Sequence, residues 1–335
     1  MKNILKTCTL GAIALGFAAQ ASATEWNASV WGKRRAFTEH VEKLAELVSE
    51  KTNGEFTINI GYGTLSKNTE NLDGISIGAF EMAQFCAGYH ADKNPTLTVL
   101  ELPFLGVSTL DEEVAVSNAV YNHPATKADL ARWNATVLMP TPMPQYNIVG
   151  TGAPRDTLEK FDGMRVRATG GLGKAFAAVG AVPTSVTATE AYNAIESGVV
   201  DTVSFAQHAH QAFRTIDIAD WWTSNLNPGT VNCPVVVNTD AYQALSDAER
   251  EALDSSVAEA LDHYIDNYTT NVLATWDKFL EEQGKTVVEI PQSEIAKFRE
   301  VAASPIRDDW IKTMEAQGIP GQELYDLVQS TLSEN

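Results

Sequence analysis

Two arginines in the stretch RVRATGGLGKAF, Arg165 to Phe176, are the strongest chemical feature of the bare sequence. In a strand, Arg165 and Arg167 project to one face, while Met164, Val166 and Ala168 take the other. A guanidinium offers planar paired donors that match a carboxylate or a sulfonate at two points. In open α/β sheets ligands bind beyond the carboxyl ends of the strands, and Arg167 lies nearer that edge than Arg165. The glycines that follow, ending in Gly173-Lys174, look like a phosphate cradle. A nucleotide loop needs Gly, four residues, then Gly-Lys and a hydroxyl residue. Ala168 stands where the first glycine belongs and Ala175 replaces the hydroxyl. Gly170, Gly171 and Gly173 therefore read as a turn into a helix.

Three other patterns could carry chemistry. GISIG, Gly74 to Gly78, matches the G-x-S-x-G elbow of a serine hydrolase, with Ser76 as nucleophile. That elbow requires a strand before it and a helix after it, and here the order is reversed. His208 and His210 would share a face in an extended segment, as a metal pair can, but no Cys joins them and the nearest acids are Asp201 and Asp217. No metal and no cofactor is expected. Trp26, Trp31, Phe85, Tyr89, Tyr146, Phe205, Trp221 and Trp222 fall near expected strand ends and turns. Each alone suits a core; together they suit a cleft that stacks on a small organic molecule.

Alternating helices and strands position these groups. Phe37, Val41, Leu44, Ala45 and Val48 form one helical stripe over 35–52, which Asn53-Gly54 ends. EFTINIGYG alternates as a half-buried strand, and a strand is expected over 79–85 after a polar helix. The cycle restarts after Tyr146, with MRVRA and VVDTVSFA as strands and two helices between them. Two such series give an α/β protein of two lobes, with boundaries near 147 and 232. Pro140 to Pro144 and Asn227 to Pro234 are the expected crossings. Ser246 and Glu249 form a capping box, and no Pro or Gly interrupts the next 37 residues from Asp247 to Gln283. One helix of that length would measure about 55 Å and would brace both lobes. Residues 24–146 with 233–270 make the first lobe, and 147–232 with 285–325 the second.

The compartment is read from the N-terminus. Lys2 and Lys6, an apolar run from Leu10 to Ala19, and Ala21-Ser22-Ala23 give the three regions of a signal peptide, with cleavage expected after Ala23. Removal of 23 residues from 335 leaves 312. With 24 basic and 43 acidic residues the net charge is -19, and loss of the two lysines makes it -21. Such a surface repels nucleic acid and anionic lipid, so an anionic ligand needs a locally focused positive group. Cys86 and Cys233 could pair, but their spacing says nothing of distance, and separated cysteines more often sit buried and free.

The chain also resembles a known family. EKLAELVSEKTNGEFTINI, ISIGAFEMAQFCAGYHADKNPTLTVLELPFL and LEKFDGMRVRATGGLGKAFAAVGAVPTSVTATEAYNAIESGVVDTV match in order the DctP-like solute-binding proteins of TRAP transporters. The most specific part is G-x-(K/R)-x-R at Gly163 to Arg167, then Gly180 to Pro183, Glu190 to Ala194 and Gly198 to Asp201. The resemblance implies a two-lobed periplasmic binding protein fold with a hinge and a long helix spanning both lobes. It implies capture of a small organic acid anion by a monomer, and delivery to small and large membrane subunits for sodium-coupled import. The family's carboxylate-binding arginine falls on Arg167. Positions that line the cleft in relatives fall on Trp31, Phe85, Cys86, Tyr146, Asn147, Phe205, Asn225 and Asn227; the aromatic grouping adds Tyr89. TVSFAQ puts Phe205 where sugar-acid binders carry a polar residue. Ala168 and Asn227 stand where a keto-acid branch holds a metal. Both departures favour an aromatic or compact monocarboxylate.

Overall fold

The computed structural model describes residues 23–334, so all of the expected signal peptide except Ala23 lies outside the described residues. Among the described residues eleven strands build two sheets. The first sheet holds β1 (Thr24–Val30), β2 (Phe56–Tyr62), β3 (Met82–Gln84) and β4 (Ala135–Met139). The second holds β5 (Asn147–Gly150), β6 (Arg165–Arg167), β7 (Val182–Thr184), β8 (Thr202–Phe205) and β9 (Trp221–Thr223). β10 (Val235–Asn238) returns to the first sheet and β11 (Thr286–Val288) to the second. The strand orders are β2-β1-β3-β10-β4 and β11-β9-β5-β8-β6-β7. In the first sheet β10 runs antiparallel to its neighbours, and in the second β5 does.

The chain therefore passes between the two sheets three times, at 140–146, at 224–234 and through the helices between β10 and β11, and returns to the first lobe after β11. β1 and β3 run parallel, as do β6, β7 and β8, so within each group the carboxyl ends share an edge. Those two edges, carrying Trp31, Cys86, Arg167 and Phe205, border the same space.

The bridging helix is segmented where one continuous rod was expected. It comprises Asp247–Asp254, Val257–Tyr268, a π-helical turn Thr269–Leu273 and Trp276–Glu282. Hydroxyl side chains explain the breaks. Ser256 Oγ donates to Ala252 O (2.6 Å), Thr270 Oγ1 to Asp266 O and Thr275 Oγ1 to Asn271 O, each beside an interruption and each competing with the backbone ladder. The N-terminal part packs Leu253, Ala260 and Leu261 with the first sheet's Trp26, Ala28 and Val30. Beyond the π turn, Trp276 meets Trp222 of β9 with ring centroids 5.5 Å apart. The C-terminal helix Gly321–Glu334 packs on Leu110–Asn122 of the first lobe, so the chain ends on that lobe.

Cys86 and Cys233, whose pairing the sequence leaves open, form a disulfide. β3 continues beyond Gln84 alongside the approach to β10, with Phe85 N donating to Pro234 O (3.2 Å) and Ala87 N to Asn232 O (2.8 Å). The backbone pairing places the sulfurs together, which a separation of 147 residues could not reveal. LTVLELPFLGV, an apolar run, begins in a 3-10 helix, Pro95–Glu101, and continues without regular structure, with Leu97, Val99, Leu100, Leu102 and Val107 in the core.

Candidate functional site

A small cavity of about 20 Å³ lies between the lobes. Of the ten residues expected at the site, six line it: Trp31, Cys86, Tyr89, Tyr146, Arg167 and Phe205. Arg167 ends β6 and is only 2 % exposed. Its Nε donates to Val186 O (3.0 Å), Nη1 to Ser204 O (3.4 Å) and Nη2 to the Tyr89 hydroxyl (2.9 Å). None of these partners is a carboxylate, and of five guanidinium N–H groups two remain, one on each terminal nitrogen. The Phe205 ring lies 4.4 Å from its Cζ. Arg165, two residues earlier, is exposed and bound to Asp201, both through its backbone N (3.0 Å) and through its guanidinium. Strand position thus divides two arginines that look alike in sequence.

Four expected residues stand elsewhere. Phe85 is fully buried and packs edge-on against His90, because the strand's alternation turns Cys86, not Phe85, to the cavity. Asn147 Nδ2 donates to Asn227 Oδ1 (2.7 Å), while its Oδ1 accepts from Leu226 N (2.9 Å) and Thr223 Oγ1 (3.1 Å). Asn225 exchanges two bonds with the Ile290 backbone, both 2.8 Å. Asn227 holds a left-handed turn at φ 42°, a conformation that Asn tolerates. These three amides brace the second crossing instead of lining the cavity. Trp26, Trp221 and Trp222 are core residues.

Several lining residues escaped the sequence reading. Phe37, Phe213 and Met143 extend the apolar wall, and Phe213 of the second lobe stacks on Trp31 of the first (6.2 Å, 4°). Behind them lies Arg35, 8 % exposed, with its Cζ 4.3 Å from both the Trp31 and the Phe37 ring. Its Nη1 donates to Trp31 O and Lys33 O, while Nε and Nη2 have no partner. Burial lowers its pKa to about 9. Two basic residues precede Arg35 in WGKRRAF, and nothing in that run marks one as buried.

Glu101 was findable: it is the lone carboxylate in LTVLELPFL, and a charge inside an apolar run signals a buried partner or a shifted pKa. Its Oε1 accepts from Gly88 N (3.0 Å) and Asn232 N (3.2 Å), and Oε2 has no partner. It also explains the glycine pair. A Cβ on Gly170 would lie 2.1 Å from Glu101 Oε2, and one on Gly171 would lie 1.9 Å from Glu101 O. Gly170 and Gly171 let the second lobe's helix Gly170–Ala178 close directly on the first lobe.

Buried ionisable groups give the fold a pH dependence. Burial, partly offset by the N–H groups of Asn232 and Gly88, raises Glu101 to about 7. Burial and then the Glu101 charge raise Glu113 to about 8. Burial holds His40 and His210 down to about 3 and His90 to about 4, and puts His208 well below its ordinary value. The raised acids bind protons more tightly when folded, so their contribution is lost as pH rises through 7 to 8. The histidines take up protons on unfolding, so stability also falls below about pH 6.5, where four of them outweigh two acids. The melting temperature is expected to peak near pH 6.5, each net proton giving a slope of about 1.4 kcal/mol per pH unit. Glu113→Gln should flatten the alkaline side. Melting temperatures that keep rising through pH 8 would refute this account.

Ser76 ends the helix Asn71–Ser76 and donates to Asp73 O (2.7 Å). His208 and His210 lie on the helix Gln207–Ala212, not on a strand, and bond to different partners, Tyr268 and Thr215. Among the described residues no group of three or more His, Cys, Asp or Glu could hold a metal. No helix among them is long and apolar enough to cross a membrane.

Two α/β lobes closed on an electropositive, aromatic cavity define a solute-binding protein. Residues 27–313 match the model of the bacterial extracellular solute-binding proteins, family 7 (DctP), and the chain belongs to that family. It is 24 % identical to the outer membrane transporter protein TsaT of Comamonas testosteroni, over 88 % of this chain and 87 % of that one. A marine metagenome TRAP solute-binding protein specific for aromatic acid ligands has the same fold (TM-score 0.84, 21 % identity, 93 % and 99 % of the chains). So does a Bordetella pertussis extracytoplasmic solute receptor binding pyroglutamic acid (TM-score 0.80, 22 % identity, 92 % and 100 %). The family is one of binding proteins, not enzymes, so the hydrolase reading of Ser76 falls.

Proposed function

We propose that this protein is a periplasmic receptor that closes on a small organic acid anion, an aromatic monocarboxylate in particular. It would deliver that anion to the small and large membrane subunits of a TRAP transporter for sodium-coupled import. The observation that carries the reading is Arg167: a buried guanidinium with no carboxylate partner and two unused N–H groups, beside an aromatic wall. A ligand carboxylate would supply the missing charge, and a closed, water-poor cavity would strengthen the pair. Phe205, Phe213, Trp31 and Phe37 favour a flat apolar body over a sugar acid, which needs many polar partners. The aromatic-acid specificity of the marine relative supports the same choice.

A thermal-shift panel of aromatic acids, aliphatic acids, uronates, sulfonates and neutral aromatic amides tests the reading. At a hundredfold excess over Kd a true ligand adds about 2.7 kcal/mol of stability. Aromatic carboxylates should stabilise most, and their neutral amides not at all. An amide that stabilises as well as its acid would overturn the proposal.

A further inference from the structure

We infer that His208 reads the end of the ligand away from its carboxylate, as a fixed Nε2–H donor, and that the ligand carries an oxygen acceptor there. The inference rests on the organic-acid reading above and adds the chemistry of the second polar end.

His208 lines the cavity and is 4 % exposed. One ring nitrogen, Nδ1, bonds to the hydroxyl of Tyr268 on the bridging helix. Tyr268 is fully buried, and its hydroxyl meets that nitrogen and the His208 backbone N–H, which can only donate, so Nδ1 is its one acceptor among the described residues. A phenol proton with no other acceptor goes to Nδ1, because leaving it unbonded in the interior costs about 1–3 kcal/mol. An imidazole that accepts at Nδ1 and is uncharged carries its proton on Nε2. Deep burial keeps the ring neutral, its pKa well below the ordinary value. Nε2 has no hydrogen-bond partner among the described residues and is not among the sealed polar atoms, so the N–H is available to the cavity.

The surroundings fix the ring and its sign. Phe37 stacks on the imidazole at 5.7 Å and 14°, and the Arg35 guanidinium lies 4.3 Å from that same Phe37 ring. A buried cation behind a neutral donor favours an acceptor oxygen and disfavours an ammonium or amine. Arg167 lines the same cavity and is held by Val186, Ser204 and Tyr89, with Phe205 against it. The cavity therefore offers two polar groups, the Arg167 guanidinium for the carboxylate and the His208 N–H for an acceptor oxygen. Tyr268 acts only through the ring, as a positioning residue that selects the tautomer.

The test compares calorimetric affinities of phenylacetate and benzoate with their 3- and 4-hydroxy and 3- and 4-amino derivatives. Wild type should prefer at least one hydroxy acid over its parent by about threefold to tenfold, and over the matching amino acid by more. The double variant His208→Phe/Tyr268→Phe removes both partners of the buried bond together, which spares the fold an orphaned hydroxyl. In it the hydroxy-to-parent ratio should fall to about one. Nitrogen-15 spectra of wild-type protein should place the ring proton of His208 on Nε2. The inference is overturned by a hydroxy preference that survives in the double variant, by no preference in wild type, or by a proton on Nδ1. If no acid binds wild type, the organic-acid reading fails, and the ring spectrum still decides the donor.

Discussion

Arg167→Ala is expected to weaken binding of the cognate acid more than a hundredfold, a loss of about 3 kcal/mol or more by calorimetry. The size follows from where the charge sits. At 2 % exposure the guanidinium has already given up its water, and its three protein partners are neutral. A ligand carboxylate facing it in a closed cavity loses both its counter-charge and its paired donors on truncation. Arg167→Lys should recover only part of the affinity, because an ammonium supplies charge without the planar fork.

Arg165→Ala is the matched control. Its side chain bonds Asp201 and the Gly198 carbonyl at the far end of a three-residue strand, in contact with solvent. Exposed ion pairs contribute about 0–1 kcal/mol, and this one touches nothing in the cavity. Its loss should leave affinity within about twofold. Melting curves of ligand-free Arg167→Ala are needed beside the calorimetry, since the same guanidinium holds Val186, Ser204 and Tyr89. Equal affinities for Arg167→Ala and wild type would remove the basis of the proposed function.

The separation of these two arginines shows what the sequence could and could not carry. Strand alternation and the strand-edge rule placed Arg167 at a ligand-facing edge, since both are local geometry. Whether a residue at such an edge meets the cavity or the opposite face depends on register, which decides between Phe85 and Cys86 and leaves Phe85 in the core. Asn147, Asn225 and Asn227 failed for another reason. A polar residue near a crossing serves equally well as ligand contact or as brace, and the partners that settle it lie about 65 to 80 residues away. Arg35 is legible only after the tertiary burial is known, whereas Glu101 is marked in the sequence as the lone charge in an apolar run. The glycines after Arg167 read as a turn leading into a helix; they are instead the first residues of that helix, and the reason for Gly170 and Gly171 is the approach of Glu101 from the other lobe. The bridging helix lost its continuity to hydroxyl side chains that neither propensity nor the absence of Pro and Gly flags.

Breaking the Cys86–Cys233 disulfide is expected to destabilise the protein by about 2–5 kcal/mol. The bond closes a loop of 147 residues that contains five of the second sheet's six strands, from the end of β3 to the approach to β10. In the chain-entropy account a loop this long restricts the unfolded chain by about 5 kcal/mol, and measured values generally fall below that. The flanking backbone bonds, Phe85 N to Pro234 O and Ala87 N to Asn232 O, do not depend on the sulfurs. Cys86→Ala/Cys233→Ala should therefore fold to the same lobes with a melting temperature lower by roughly 5–10 °C. Both sulfurs also line the cavity, so the double variant enlarges one wall and should bind its ligand more weakly than wild type. Thiol titration of unfolded chain beginning at Thr24 should find no free thiol before reduction, as a bond of this kind persists in an oxidising compartment. Identical melting curves for the oxidised protein and the double variant would show that the loop closure contributes nothing. Two titratable thiols in unreduced protein would show that the bond does not form.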